Sequence, residues 1–85
     1  MANRKVFSVF DTKAQAFLQP FFANTEGIAV RQFTAAAQDA GHDFHRFSED
    51  YALFSLGEFD EEKGRFIQTS TPEAVVTASA IKEVA

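Results

Sequence analysis

Two small groups of polar residues have side chains that could do chemistry. His42, Asp43 and His45 carry the imidazole and carboxylate groups that bind zinc. Glu58 and Asp60 have the strand spacing that can place two carboxylates on one face for acid–base catalysis. The first group lies in a polar loop that does not fix its geometry, and the second lies at an acidic hairpin end. We therefore interpret both groups as solvated surface residues, and expect no metal, no cofactor and no catalytic residue.

Other enzyme signatures are absent from the sequence. It contains no Ser-His-Asp order, no glycine-rich phosphate loop and no nucleophile elbow. It also contains no cysteine, which excludes thiolate metal sites and a thiol nucleophile and fits a reducing compartment. No stretch approaches the roughly 20 apolar residues of a membrane span. We expect a non-enzymatic cytoplasmic protein with no membrane partner.

Basic and aromatic residues are interleaved in the first half of the chain. Proteins that bind single-stranded nucleic acid hold phosphates with cationic groups and stack bases on rings, at roughly 1–3 kcal/mol for each base. The candidate nucleic-acid-binding residues are Arg4, Lys5, Lys13, Arg31 and Arg46, with the rings of Phe7 and Phe17. The net charge of −4 opposes this hypothesis, because an acidic protein gains no long-range attraction to phosphate. Binding would need a local basic patch.

The sequence has eleven phenylalanines, one tyrosine and no tryptophan. A few buried rings can anchor a small core, and two interpretations of the surplus remain open. In the first, some rings are exposed and form an oligomer contact, a partner site or a stacking surface for bases. In the second, a phenylalanine-rich core simply replaces leucine and isoleucine.

Strand patterns cover residues 4–10, 51–59 and 65–69, which are rich in β-branched and aromatic residues. Residues 60–64 form a reversal between the last two strands. Strict alternation along 51–59 places Phe54 and Phe59 on opposite faces. Because the reversal is acidic, these rings and that of Phe66 are better assigned to the core or a subunit contact than to DNA.

Helix patterns cover residues 25–40 and 71–84. The second begins at Thr71-Pro72-Glu73, which reads as a cap, a first-turn proline and a first-turn acid. Residues 11–24 contain Pro20 and are predicted to be an irregular connection. The prediction is a single α+β domain over residues 1–85, with a small three-stranded, mainly antiparallel sheet packed against one main helix plus a C-terminal helix. One sheet face is left for dimerisation or a ligand.

Three segments resemble the small nonstructural protein of gokushovirus-type microviruses, which are single-stranded DNA bacteriophages. The segments are KVFSVFDTKAQAFLQPFF, TEGIAVRQFTAAAQD and FSEDYALFSLGEFDEEKGRF. The resemblance implies a DNA-binding protein of the host cell cytoplasm that acts in viral genome replication or in the switch to single-strand synthesis and packaging. It defines no binding residues. We expect a homodimer that binds single-stranded DNA. The alternative is a protein–protein interaction module, acting on host replication or phage assembly factors, that binds no nucleic acid.

Overall fold

The structure, a computed structural model, describes residues 3–84 and contains one antiparallel sheet. Its five strands are β1 (Asn3–Asp11), β2 (Ala16–Phe17), β3 (Phe21–Ala23), β4 (Tyr51–Asp60) and β5 (Arg65–Thr77). The strand order is β2-β1-β4-β5, and β3 also pairs with β1. Strand β4 pairs with one edge of β1. Strands β2 and β3 pair one after the other along the opposite edge of β1.

Three helices accompany the sheet: α1 (Glu26–Gln38), α2 (Asp43–Arg46) and α3 (Ala78–Val84). A 3₁₀ turn over Ser48–Asp50 joins α2 to β4. Thr25 caps α1, because its hydroxyl oxygen accepts a hydrogen bond from the Ile28 N–H at 3.2 Å. No helix within residues 3–84 is long and apolar enough to cross a membrane.

The hydrophobic core lies between the helices and one face of the sheet, which we call the inner face. Its buried residues are Phe7, Val9, Ala23, Ala29, Phe33, Ala37, Leu53 and Ala78. The alanines of α1 let the helix approach the strands closely. The opposite side of the sheet, which carries the alternate residues of β1, is the outer face.

The structure confirms the α+β class, the main helix and the strands predicted over residues 4–10 and 51–59, with boundaries within about two residues. The strand predicted over residues 65–69 begins at Arg65 but continues to Thr77. It corrects the connection at residues 11–24, which contains β2 and β3. The backbone N–H of Leu18 donates to the Val9 carbonyl at 2.8 Å, and the Ser8 hydroxyl donates to the Leu18 carbonyl at 2.6 Å. Pro20 falls between the two short strands, where its missing donor interrupts no pairing. The sheet therefore has more strands than predicted.

The predicted helix over residues 71–84 is wrong in its first half. β5 continues to Thr77, with Val76 paired to Leu53, so contacts with β4 override the local cap signature at Thr71. The helix begins at Ala78 instead. The Thr77 hydroxyl accepts from the Ala80 N–H at 3.1 Å and therefore supplies the cap.

A β-bulge interrupts β4 at Leu56. Val6 of β1 pairs with Gly57, whereas the next residue, Phe7, pairs with Ser55, so Leu56 is the extra residue. Gly57 has a φ of 145°, a backbone conformation that residues with a side chain rarely adopt. The bulge therefore depends on glycine at this position.

The bulge changes which rings of β4 share a face. Phe54 pairs with Ser8 and Phe59 pairs with Arg4, and directly paired residues project from the same side of a sheet. Ser8 and Arg4 are even-numbered positions of β1 and both belong to the outer face. Phe54 and Phe59 therefore lie on one face, and the prediction of opposite faces is wrong, because one extra residue reverses the alternation.

Candidate nucleic-acid interface

Three rings meet on the outer face near β2, and we call them the β2 triad. They are Phe10, Phe17 and Phe54. The centroid of Phe17 lies 4.9 Å from that of Phe10 and 5.4 Å from that of Phe54, and both contacts are edge to face. Phe10 and Phe54 complete the triangle at 6.3 Å. These are preferred aromatic geometries, so the rings hold one another in fixed positions.

Three further rings form the hairpin triad at the other end of the outer face. Phe59 lies 5.6 Å from Phe22 and 4.9 Å from Phe66, between ring centroids. The planes of Phe22 and Phe66 are only 15° apart at a centroid distance of 6.5 Å. Three different strands, β3, β4 and β5, thus supply one ring each.

The two triads expose ring surface to solvent. Phe66 is 60% exposed, Phe22 44% and Phe17 40%, whereas the other three rings are half-buried. Arg4, beside the hairpin triad, and Phe10, in the β2 triad, are six residues apart on β1. At about 3.3 Å per residue, the triads are therefore separated by roughly 20 Å along the strand.

A shallow apolar groove lies on the outer face next to the hairpin triad. It has a volume of about 460 Å³, and its lining includes Val6, Pro20, Leu56 and Pro72. Between the two triads on β1, Ser8 is fully buried and its hydroxyl donates to the Leu18 carbonyl. The exposed rings are therefore concentrated at the two ends of the face.

The acidic residues of β4 and β5 project away from this surface. Glu58 pairs with Lys5 and Glu73 with Ser55, positions that belong to the inner face. Among the paired strand residues that the structure describes, Arg4 is the charged residue of the outer face. The paired strand positions of the outer face therefore carry no carboxylate, although Glu61 of the hairpin turn lies 3.7 Å from Arg4 and Glu58 lines the groove.

The predicted basic residues do not form one patch. Arg4 and Lys5 follow one another in β1 and so point to opposite faces. The charged atoms of Arg4 and Glu61 are 3.7 Å apart, and those of Lys5 and Glu58 are 3.9 Å apart. Arg46, on α2, makes a 2.9 Å ion pair with Asp43 of the same helix. Three of the five predicted cations thus already have carboxylate neighbours.

The remaining predicted residues are separated as well. Lys13 is exposed in the turn between β1 and β2, at the end of the sheet that carries the β2 triad. Arg31 is exposed on α1. Phe7 is fully buried in the core and offers no ring surface, whereas Phe17 belongs to the β2 triad. Arg4, Lys13 and Phe17 are therefore the predicted residues that lie on or beside the outer face.

Five further rings complete this face and were not among the predicted nucleic-acid-binding residues. They are Phe10, Phe22, Phe54, Phe59 and Phe66. Gly57 was the available signal, because a glycine inside a strand pattern indicates a bulge. A bulge in that strand is what brings Phe54 and Phe59 together.

The polar groups with possible chemistry have structural partners. The Nδ1 atom of His42 accepts from the Phe44 N–H at 3.0 Å and caps α2. Within residues 3–84, no three His, Cys, Asp or Glu side chains are grouped as a metal site requires.

Tyr51 has a raised pKa, caused first by burial and then by nearby carboxylates. Those carboxylates belong to Asp11, Asp43 and Asp50.

Comparison with known proteins identifies the family. Residues 4–81 match the model of the family described as Phage ORF5 protein. The chain belongs to the phage ORF5 family. One ORF5 relative, Protein ORF5 of Chlamydia phage 1, is 33% identical over 64 residues, which cover 71% of this chain and 67% of that protein. No solved structure matches the chain. ORF5 membership confirms the resemblance to a small phage nonstructural protein.

Proposed function

We propose that this phage protein binds single-stranded DNA on the outer face of its sheet and does so without catalysis. The observation that carries the proposal is the arrangement of six phenylalanine rings in two triads on one open face. Exposed rings on a sheet stack on unpaired bases, as in the RNA-recognition fold, and such stacking tolerates any sequence.

The spacing of the triads sets the length of DNA that the face would hold. About 20 Å separates them along β1. Single-stranded DNA whose bases keep the 3.4 Å rise of a duplex strand would cross that distance in roughly six nucleotides. We therefore expect an oligonucleotide of about this length to reach both triads and shorter ones to reach only one.

The proposed binding depends on stacking more than on charge. Arg4 and Lys13 lie near opposite ends of the face, so about two phosphate contacts are expected. Each contact to a single strand contributes roughly −0.7 to the slope of log affinity against log salt concentration, which gives a shallow slope of about −1.4. This weak salt dependence is consistent with a net charge of −4.

Membership of the phage ORF5 family and the resemblance to proteins of single-stranded DNA phages support a role in viral genome replication. The proposed role is in replication or in the switch to single-strand synthesis and packaging, in the cytoplasm of the infected host. Coating of newly made single strands would require the sequence tolerance that stacking provides.

The second candidate is a protein contact through the same surface, in a homodimer or with another phage or host protein. It is favoured by the neighbouring exposed side chains of Phe66 and Phe22, which are 60% and 44% exposed. The face measures about 20 Å along the strands and about three strand spacings of roughly 4.8 Å across them, which gives an area of roughly 300 Å². Stable interfaces bury about 800 Å² on each partner, so this face alone favours a ligand over a stable dimer.

Fluorescence anisotropy with a labelled twelve-residue oligothymidylate tests the proposal. We expect Phe66→Ala to weaken binding at least about fivefold, because one stacked base contributes 1 kcal/mol or more. Phe47→Ala is the matched control: that ring is 52% exposed but lies beside α2, under the Arg46 guanidinium. Absence of binding at low salt would reject the proposal.

Sedimentation of the protein at micromolar concentration tests the dimer, which a monomer would contradict.

A further inference from the structure

One donor of the Arg4 guanidinium group has no acceptor among residues 3–84. This donor is the Nε–H group, whose nitrogen is buried and has no hydrogen-bond partner in the described part of the chain. One terminal nitrogen lies 3.7 Å from a carboxylate oxygen of Glu61, which is an ion pair but is too long for a good hydrogen bond. Arginine carries five N–H donors, and a buried donor without an acceptor is rare in folded proteins. The side chain as a whole is 43% exposed, so its terminal nitrogens, unlike Nε, are open to an acceptor from outside the chain.

The surroundings of Arg4 suit an oxyanion. An open pocket of about 480 Å³ is lined by Asn3, Arg4, Asn24 and Glu61. The Asn3 side-chain amide donates a hydrogen bond to a Glu58 carboxylate oxygen at 2.8 Å. Asn24, which lies between β3 and α1, is exposed. The planar guanidinium matches two oxygens of a phosphate, and asparagine amides can add further donors.

The position of the pocket connects it to the outer face. Arg4 pairs with Phe59 of the hairpin triad, so its side chain leaves the sheet beside the stacking rings. A nucleotide stacked on this triad would have its phosphate within reach of the pocket.

We propose that the pocket around Arg4 binds a phosphate of the DNA backbone, and that Glu61 neutralises the guanidinium until this phosphate displaces it. This inference rests on the proposed function and adds a subsite and a competing carboxylate to it. Both partners of the ion pair are about half exposed, at 43% and 47%, and such pairs are weak. A phosphate that makes two charge-assisted hydrogen bonds would therefore replace Glu61 readily.

The test uses the full chain and four single variants. Arg4→Gln removes the proposed phosphate ligand, and Arg31→Gln removes an equal charge from α1. Glu61→Gln removes the competing carboxylate, and Glu62→Gln removes an equal charge one position further along the hairpin turn. Binding of the labelled oligothymidylate is measured by anisotropy. In parallel, the NMR signals of the Arg4 guanidinium N–H groups are followed as inorganic phosphate is added.

We expect Arg4→Gln to weaken oligothymidylate binding about tenfold, as loss of charge-assisted hydrogen bonds does, and Arg31→Gln to change it less than twofold. Glu61→Gln should strengthen binding about two- to fivefold, the strength of an exposed ion pair, and Glu62→Gln should have a smaller effect. Inorganic phosphate should shift the Arg4 signal, and at lower concentration in Glu61→Gln.

These measurements separate failure of the Arg4 phosphate subsite from failure of DNA binding by the protein. Equal effects of Glu61→Gln and Glu62→Gln would overturn the competition between Glu61 and phosphate. An Arg4 signal that does not respond to phosphate, with oligothymidylate binding intact in Arg4→Gln, would overturn the subsite and leave the proposed function standing. A phosphate response without any oligothymidylate binding would support the anion pocket and reject DNA as its ligand.

Discussion

Replacement of Gly57 with alanine tests the bulge on which the outer face depends. A Cβ atom at this position would overlap the Ile67 carbonyl oxygen and lie 3.0 Å from the Gln68 Cα atom. Both obstacles are backbone atoms of the neighbouring strand, so they cannot rotate away. Relief of the overlap would require β4 and β5 to move apart beside the hairpin triad.

The expected cost has two contributions. A side chain at a φ of 145° costs about 1–3 kcal/mol in backbone strain. Overpacking against a fixed neighbour costs a further 1–3 kcal/mol or so. At about 0.05–0.15 kcal/mol per residue, a chain of 85 residues has a free energy of unfolding of roughly 4–13 kcal/mol. Gly57→Ala is therefore expected to remove about 2–6 kcal/mol, a large part of the total.

Urea denaturation followed by circular dichroism measures this loss. Gly64→Ala is the matched control, because Gly64 also has a positive φ, of 65°, but a Cβ atom there would meet nothing within 4 Å. We expect this control to lose only about 1–2 kcal/mol, the cost of the left-handed conformation alone. If Gly57→Ala were no more destabilising than Gly64→Ala, the bulge and the shared ring face would be refuted.

Two further predictions concern the core and the helical end of the sheet. Leu53→Ala should lower the free energy of unfolding by about 2–5 kcal/mol in the same urea assay, because Leu53 is fully buried between the sheet and the helices; a loss below 1 kcal/mol would contradict this packing. Tyr51 should titrate above pH 10.0 in ultraviolet absorbance, and Asp11→Asn should lower its midpoint. Because the pKa of Tyr51 is raised on folding, its contribution to stability is complete below pH 10 and is lost as the pH rises through the folded value.

Local patterns predicted the elements whose structure depends mainly on neighbouring residues. The Thr25 cap and the alanine stripe indicated α1, and the alternating β-branched and aromatic residues indicated β1 and β4. Thr71-Pro72-Glu73 has the residues of a helix start, but pairing of Val76 with Leu53 holds this region in β5. Single-sequence patterns do not include the energy of such a contact between distant segments, which explains the error.

The outer face was predicted only in outline. Surplus rings and an uncovered sheet face follow from composition and element count, but the particular rings depend on strand register. The two-residue strand β2 places Phe17 opposite Phe10, and the bulge at Leu56 brings Phe59 to the same side. Both depend on pairing between distant parts of the chain, and strict alternation within one strand cannot reveal them.

Chemical-shift mapping of the ¹⁵N-labelled full chain with a six-residue oligothymidylate shows directly whether single-stranded DNA binds to the outer face. The proposal predicts shift changes at outer-face residues of β1 to β5, largest around Phe17 and Phe66 and small for α1 and around Phe47. Changes confined to the helices, or no changes at millimolar oligonucleotide, would contradict DNA binding on this face.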